Sequence, residues 1–405
     1  MNRAAKILVA VISGVCGVVP VSPDRVHAHG AGEPHHAEAV SAISPPVSAT
    51  SSPVVEVSVL PTWMRYSMSG SRDLTGFPVD EAKMNRELSR LAEKLRPAVA
   101  KADGGPDVVE AFRRVLLKDE GFKYDRVAGN PENFLIGGVI ARKRGNCLGL
   151  SLLWVSLAER LGLPFRGVYV PGHCFVRYDG DDARINVEFS EAGAAWEDAR
   201  YLEEFRMARP GPYLRSLTTA EMLGVFMKSV GAAYAKKGRH EEALVIYSEG
   251  ARLYPGLPES WYNAGVSLQR MGRSGEAILK YRKALELDPD MAVARGNLGI
   301  LLANQGLYAE AIDEARRAVE IDPWNASVRG SLASAHCACG DFDEGIREYR
   351  KALEIDPSNV QARAGLTRAL YAKGDLVGAA RECERAEALG CRFEPWLLEA
   401  LKPYR

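Results

Sequence analysis

The sequence predicts two folded parts in series: an α+β domain in the middle of the chain and an all-α solenoid of paired helices behind it. Three observations carry that prediction. Apolar residues at helical spacing give way, near residue 165, to short runs that alternate like strands. From about residue 224, glycines and prolines recur every 34 residues. A leader-like amino terminus, once set aside, still leaves too much chain for one compact domain at roughly 150 residues each.

The composition narrows the classes of function. Lys+Arg total 52 and Asp+Glu total 52, so the formal charge is zero. No field of one sign is available to hold a polyanion, and no nucleic-acid partner is expected. A 47% hydrophobic and 26% charged composition describes a globular chain able to bury a core. Seven cysteines are far too few for a disulfide scaffold of this length.

Residues 1–28 carry Arg3 and Lys6, an apolar run from Ile7 to about Val21, and the small residues of Val26-His27-Ala28. That is the layout of a secretory signal peptide. It implies an exported bacterial protein, periplasmic or in the cell envelope. The run is short for a membrane span, which needs about 20 residues, so no span is expected in the mature chain. Cys16 follows Val15, a poor lipoprotein signal. An uncleaved or lipid anchor is the lesser alternative. Residues 29–58 are rich in Ser, Pro and His and bury too little apolar surface to order themselves, which makes them a disordered linker. His29, His35 and His36 fit a solvated tether better than a weak metal site.

The middle of the chain begins with helical periodicity over Glu81–Lys101 and again over Val108–Leu117. Arg142-Lys143-Arg144 precedes Gly145-Asn146-Cys147 and a nearly all-apolar run to Leu161, stopped by Gly162. Asn146 is a good N-cap, which places Cys147 in the first turn of a buried helix. There the helix terminus favours thiolate, and the basic run adds to this if it stays near. On this fragment alone an inert core cysteine is an equal reading. Phe165–Val170 and His173–Tyr178 then alternate as strands, with Arg184–Phe189 returning after Asp179-Gly180-Asp181-Asp182. A two-residue loop at Gly180-Asp181 pairs Tyr178 with Ala183, sets His173 opposite Glu188, and makes Phe175 and Asn186 the next pair on that side. A thiol, an imidazole and a carboxylate on helix, strand and strand form the set a nucleophilic cysteine needs. Cys174 points to the other strand face and serves packing.

Gly145-Asn-Cys147-x-x-Leu-Ser151, Pro171-Gly-His173-x-x-Val-Arg-Tyr178 and Ile185-Asn-x-Glu188, with Gly193 five residues on, resemble the transglutaminase-like superfamily, in particular its SirB-type branch. The resemblance covers about residues 80–225 and implies a papain-like/transglutaminase-like α+β core over residues 59–223. By that resemblance Cys147 takes the nucleophile position, His173 the base and Glu188 the acid. Asp is commoner at the third position, so the nearby Asn186 also enters the candidate set. Many relatives lack the cysteine; this chain keeps it. The oxyanion donors would be the Cys147 backbone N–H and a side chain upstream that the sequence does not identify. No phosphate-cradling glycine motif or paired-cysteine zinc pattern occurs, and no cofactor or metal is expected.

In the last part, Gly238, Gly272, Gly306, Gly340 and Gly374 stand 34 apart, and Pro255, Pro289, Pro323 and Pro357 keep the same step. Ala243, Ala277, Ala311, Gly345 and Ala379, with Tyr247, Tyr281 and Tyr349, lie between them. The glycine ends a first helix in the left-handed conformation, the small residues let two helices approach, and the proline stops the second. Five such copies over residues 224–391 resemble the tetratricopeptide repeat family, with residues 392–405 as a C-terminal cap. The resemblance implies a protein or peptide ligand on a concave face, with Asn263 and Asn297 as candidate contacts. Cys337 and Cys339 point in different directions on one helix and, with Cys383 and Cys391, read as packing residues. His240 and His336 read as surface or packing residues. Two functions follow: an exported cysteine-dependent acyl-transfer enzyme, or a non-catalytic interaction scaffold of the cell envelope.

Overall fold

The computed structural model describes residues 80–127, 130–207 and 209–405. The expected signal peptide at 1–28, the linker at 29–58 with its histidines, Cys16, and residues 59–79 lie outside the described residues. The α+β part opens with helix α1 (Glu81–Val99) and helix α2 (Gly105–Phe112), which widens into a π-helical turn over Arg113–Asp119. Strand β1 (Lys123–Tyr124), helix α3 (Ile136–Arg142) and strand β2 (Arg144–Gly145) lead into helix α4 (Cys147–Leu161). β1 and β2 pair in parallel, Tyr124 opposite Gly145.

Helix α4 is capped at both ends as the sequence requires. Asn146 accepts the Gly149 backbone N–H at 2.9 Å, and Gly162 closes the helix at φ 68°. Gly149 has a second task. A Cβ there would come within 2.2 Å of the Asn133 carbonyl oxygen, so the close seating of the 130–133 segment on α4 requires glycine. Leu148, Leu150, Leu152, Leu153, Trp154 and Leu157 are buried, as a helix apolar on all sides must be.

Against α4 lies a four-stranded antiparallel sheet of β3 (Phe165–Val170), β4 (His173–Asp179), β5 (Arg184–Val187) and, after helix α5 (Asp198–Glu204), β6 (Ser216–Leu217), in the order β5-β4-β3-β6. The hairpin register differs from the expected one. Asp179 pairs with Arg184, Tyr178 with Ile185, Arg177 with Asn186 and Val176 with Val187. The loop therefore takes four residues, closed by Gly180 N–H on the Ala183 carbonyl at 3.1 Å. The reason is local: the Asp182 carboxylate turns back to accept from the Gly105 N–H and the Tyr178 hydroxyl, which a two-residue turn does not allow. Strand side chains alternate with period two, so a two-residue slip keeps every side chain on its expected face.

Helix α6 (Thr219–Lys236) begins the solenoid, and the expected boundary at 223/224 falls inside it. Its first turns cover the sheet: Met222 lies against Gly167, and Phe226 packs edge-on to Phe134. Its later turns pair with α7 (His240–Leu253) as the first repeat. Pairs follow at α8 (Pro258–Arg270) and α9 (Ser274–Leu287), α10 (Ala292–Asn304) and α11 (Tyr308–Ile321), α12 (Ala326–Ala338) and α13 (Phe342–Ile355), α14 (Val360–Lys373) and α15 (Leu376–Ala388). The five repeat glycines all sit at φ between 73° and 91°. Tyr247 and Tyr281 lie on Gly231 and Gly265 of the facing helices, and Cys337 on Gly345, so the small residues do admit close contact. Helix α16 (Pro395–Leu401) buries Leu397 and Leu401 against the last pair.

A second 34-residue series joins the pairs. Arg295, Arg329 and Arg363 each bond the carbonyl of Pro289, Pro323 or Pro357 and ion-pair with Glu314, Glu348 or Glu382 at 2.6, 2.9 and 2.7 Å. In the second repeat Trp261 holds the arginine's place. Its indole N–H bonds the Pro255 carbonyl, and Lys280, at the glutamate's place, lies over its ring at 4.8 Å. A cation–π contact replaces the ion pair.

Candidate active site

Cys147 starts α4 and His173 starts β4. Residues four apart share a helix face, so Cys147 and Ser151 look at the same strand. Cys147 lies near His173, the first residue of that strand. The Cys147 thiol lies close enough to the His173 ring to raise its pKa and is half-buried. The ring's Nε2 is taken by Glu188 Oε2 at 2.7 Å, which leaves Nδ1 for the sulfur. His173 is 8% exposed and Glu188 0%.

The shifted register explains how the carboxylate reaches. Beyond Val176↔Val187, Glu188 leaves the ladder to bridge Ala194 and lies diagonal to His173 rather than opposite it. Diagonal cross-strand neighbours are about 7–8 Å apart, a gap for a long side chain. The extra methylene of Glu over Asp fits that gap. Its other contacts fix it: Oε1 accepts the Ser190 N–H at 2.8 Å, and the Tyr201 hydroxyl donates to Oε2 at 3.3 Å. Gly193, at φ 80°, donates its N–H to the Glu188 carbonyl at 2.7 Å and closes this turn.

Electrostatics follow from the contacts. Burial opposes a charged ring at His173, but the adjacent Cys147 and the hydrogen bond and charge of Glu188 outweigh it and raise its pKa from 6.5 to about 9. For Glu188 burial opposes ionisation too. The His173 hydrogen bond and charge, with the Ser190 N–H, hold the carboxyl below its ordinary value. Phe205 stacks on the imidazole at 5.1 Å and 17°, a face suited to a cation. Cys174, fully buried, has its thiol pushed up by burial, in keeping with a packing role.

The structure separates Asn186 from this group. Its Oδ1 accepts from Arg177 Nε at 2.6 Å, and its Nδ2 donates to the Trp196 carbonyl and to Asp198 Oδ1, both at 2.8 Å. Pairing with Arg177 rather than Phe175 moves it one step down the face, away from His173. Arg177 is fully buried, bonded to Asp198 and the Leu214 carbonyl, and so anchors α5, which carries Tyr201. Arg142 and Lys143 of the basic run are also turned aside. Arg142 goes to Glu132 and Asn133, and Lys143 to Glu120, already held by Arg90 and Lys94. The thiol sits at the helix terminus, away from the partners of these two side chains. Sequence reasoning missed Tyr201 and Phe205, on a segment with no distinctive spacing.

In the solenoid, Asn297 donates weakly to the Tyr262 and Tyr281 hydroxyls at 3.4 and 3.5 Å, and Asn263 is half-buried on α8. His336 pairs with Asp341 at 3.1 Å, and His240 is partly buried. Cys383 is buried, Cys337 and Cys391 are partly buried, and Cys339 is exposed; all are free. Among the described residues no three or more His, Cys, Asp or Glu side chains form a metal-holding group, and no helix is long and apolar enough to cross a membrane.

Comparison with known proteins matches these parts. Residues 82–208 fit the model of the transglutaminase-like superfamily, and residues 262–326 and 338–389 fit two tetratricopeptide repeat models. The chain is 24% identical over 191 residues to a "UPF0162 protein" of Xylella fastidiosa strain 9a5c, covering 44% of this chain and 68% of that one; the strain Temecula1 protein gives the same figures. Similar solved structures include MamA from Desulfovibrio magneticus RS-1 (24% identity, 41% of this chain and 94% of that one, TM-score 0.35). Pseudomonas aeruginosa pilF is another (20%, 45% and 83%, TM-score 0.39). The chain carries a transglutaminase-like superfamily domain followed by tetratricopeptide repeats.

Proposed function

We propose that this protein is an exported, cysteine-dependent acyl-transfer enzyme whose repeats bind the peptide or protein it acts on. The observation that carries the reading is the Cys147 thiol beside a His173 ring that is itself bonded to the buried Glu188 carboxylate at 2.7 Å. The His173 ring, charged at neutral pH, holds the proton that the thiol gives up, and Sγ attacks a carbonyl of a peptide, isopeptide or amide. His173 then returns the proton to the leaving amine, and a thioester remains. Water or a second amine, deprotonated by the same ring, releases the acyl group. Glu188 holds the ring's orientation and balances its charge throughout. Export rests on the leader-like composition of residues 1–28. Peptide binding rests on the repeat architecture, with Asn263 and Asn297 on first helices, where the concave face would lie.

The test is labelling of the mature protein with iodoacetamide at neutral pH. Cys147 is expected to react faster than Cys174 and faster than in the denatured chain. His173→Ala is expected to slow it at least tenfold. A Cys147 no faster than its denatured control, in a chain whose Cys147→Ala variant folds normally, sinks the enzyme reading and leaves the interaction scaffold.

A further inference from the structure

Acyl transfer needs more than a relay. When Sγ adds to the carbonyl, the π pair moves onto oxygen, and that oxyanion needs donors already in place. The first turn of α4 supplies backbone N–H groups, Cys147's own among them. Asn186, the amide side chain that the sequence put forward, is fully engaged elsewhere.

β1 passes the site closely. Tyr124 pairs with Gly145, two residues before Cys147, and the ladder continues with Asp125 N–H on the Gly145 carbonyl at 2.9 Å. On its other side β1 packs against the 310 turn Phe189–Glu191 that follows Glu188. Tyr124 therefore stands between the strand that delivers the thiol and the turn that delivers the carboxylate. It is half-buried, and among the described residues its hydroxyl has no hydrogen-bond partner. We propose that the Tyr124 hydroxyl is the second oxyanion donor of the acyl-transfer step, opposite the Cys147 backbone N–H. The inference rests on the acyl-transfer reading above.

Burial first, then the charges of Cys147 and Glu188, push the Tyr124 phenol above its ordinary value and keep it a donor at neutral pH. The phenol transfers no proton. It donates a hydrogen bond as the S–C bond forms, and releases it when the C=O is restored and the leaving group departs.

Two reactions on the full chain separate this role from the relay. p-Nitrophenyl acetate acylates a thiol through an oxyanion and releases nitrophenolate. Iodoacetamide alkylates the same sulfur by displacing iodide and builds no oxyanion. In Tyr124→Phe the nitrophenolate burst is expected to slow by about 100-fold, the usual effect of losing one such donor, with alkylation of Cys147 within twofold of wild type. An unchanged burst with intact alkylation overturns the donor role alone. Equal slowing of both reactions also overturns it, because that marks a displaced thiol. A wild-type chain with no burst and no selective alkylation overturns the acyl-transfer reading itself.

Discussion

At the scale of residues, His173 makes the site sensitive to pH. Its pKa is about 9 in the folded protein against an ordinary 6.5. A raised base contributes stability that is complete below about 6.5 and lost as pH climbs through about 9. Urea denaturation of wild type should therefore show stability falling over that window, and His173→Gln should flatten the fall. Equal slopes in the two proteins would mean that the ring is not held charged. Cys147, His173 and Glu188 were legible because their motif spacing survives in the linear sequence. Asn186 was misplaced because a two-residue change of loop length moves the pairing partner while leaving alternation untouched. Tyr124 was illegible, since a two-residue parallel strand has no periodicity to read.

Among the elements, the repeats show how one position can change chemistry and keep its task. Trp261 with Lys280 does what Arg295 with Glu314 does one repeat later. Trp261→Arg alone loses the cation–π contact and faces Lys280 with a like charge, a loss of about 1 kcal/mol. Adding Lys280→Glu should recover most of it by recreating the pair of the next repeat. A double-mutant cycle in thermal melts measures this; additive losses would show that the two side chains do not couple. The glycine and proline period was plain in the sequence because those residues act on their own backbone. The Arg–Glu series was hidden because its members lie 19 residues apart and only folding brings them together.

Across the whole molecule, the two parts are joined by more than a linker. Tyr169, at the end of β3, has its hydroxyl 3.2 Å from Glu259 on α8 while accepting from Lys228 of α6 and from Gly172, the residue before His173. Tyr213 contacts Glu259 and Asp288, and Tyr254 bonds the Pro212 carbonyl. The buried Met222, Leu223, Val225 and Phe226 of α6 represent roughly 1.5–3 kcal/mol each, together comparable with the 5–15 kcal/mol net stability of a typical domain. Residues 80–217 alone should therefore fail to fold, whereas residues 80–253, which keep α6 and α7, should give a cooperative melt; a well-folded 80–217 fragment would refute this. The sequence showed both parts but placed a seam at 223/224, because repeat periodicity marks where copying begins and not where packing divides. That shared helix also constrains how such a chain can diversify: a recombination event that swaps the repeat cassette at its first copy must replace the lid of the neighbouring sheet as well, so new specificities are more readily acquired by exchanging the later helix pairs.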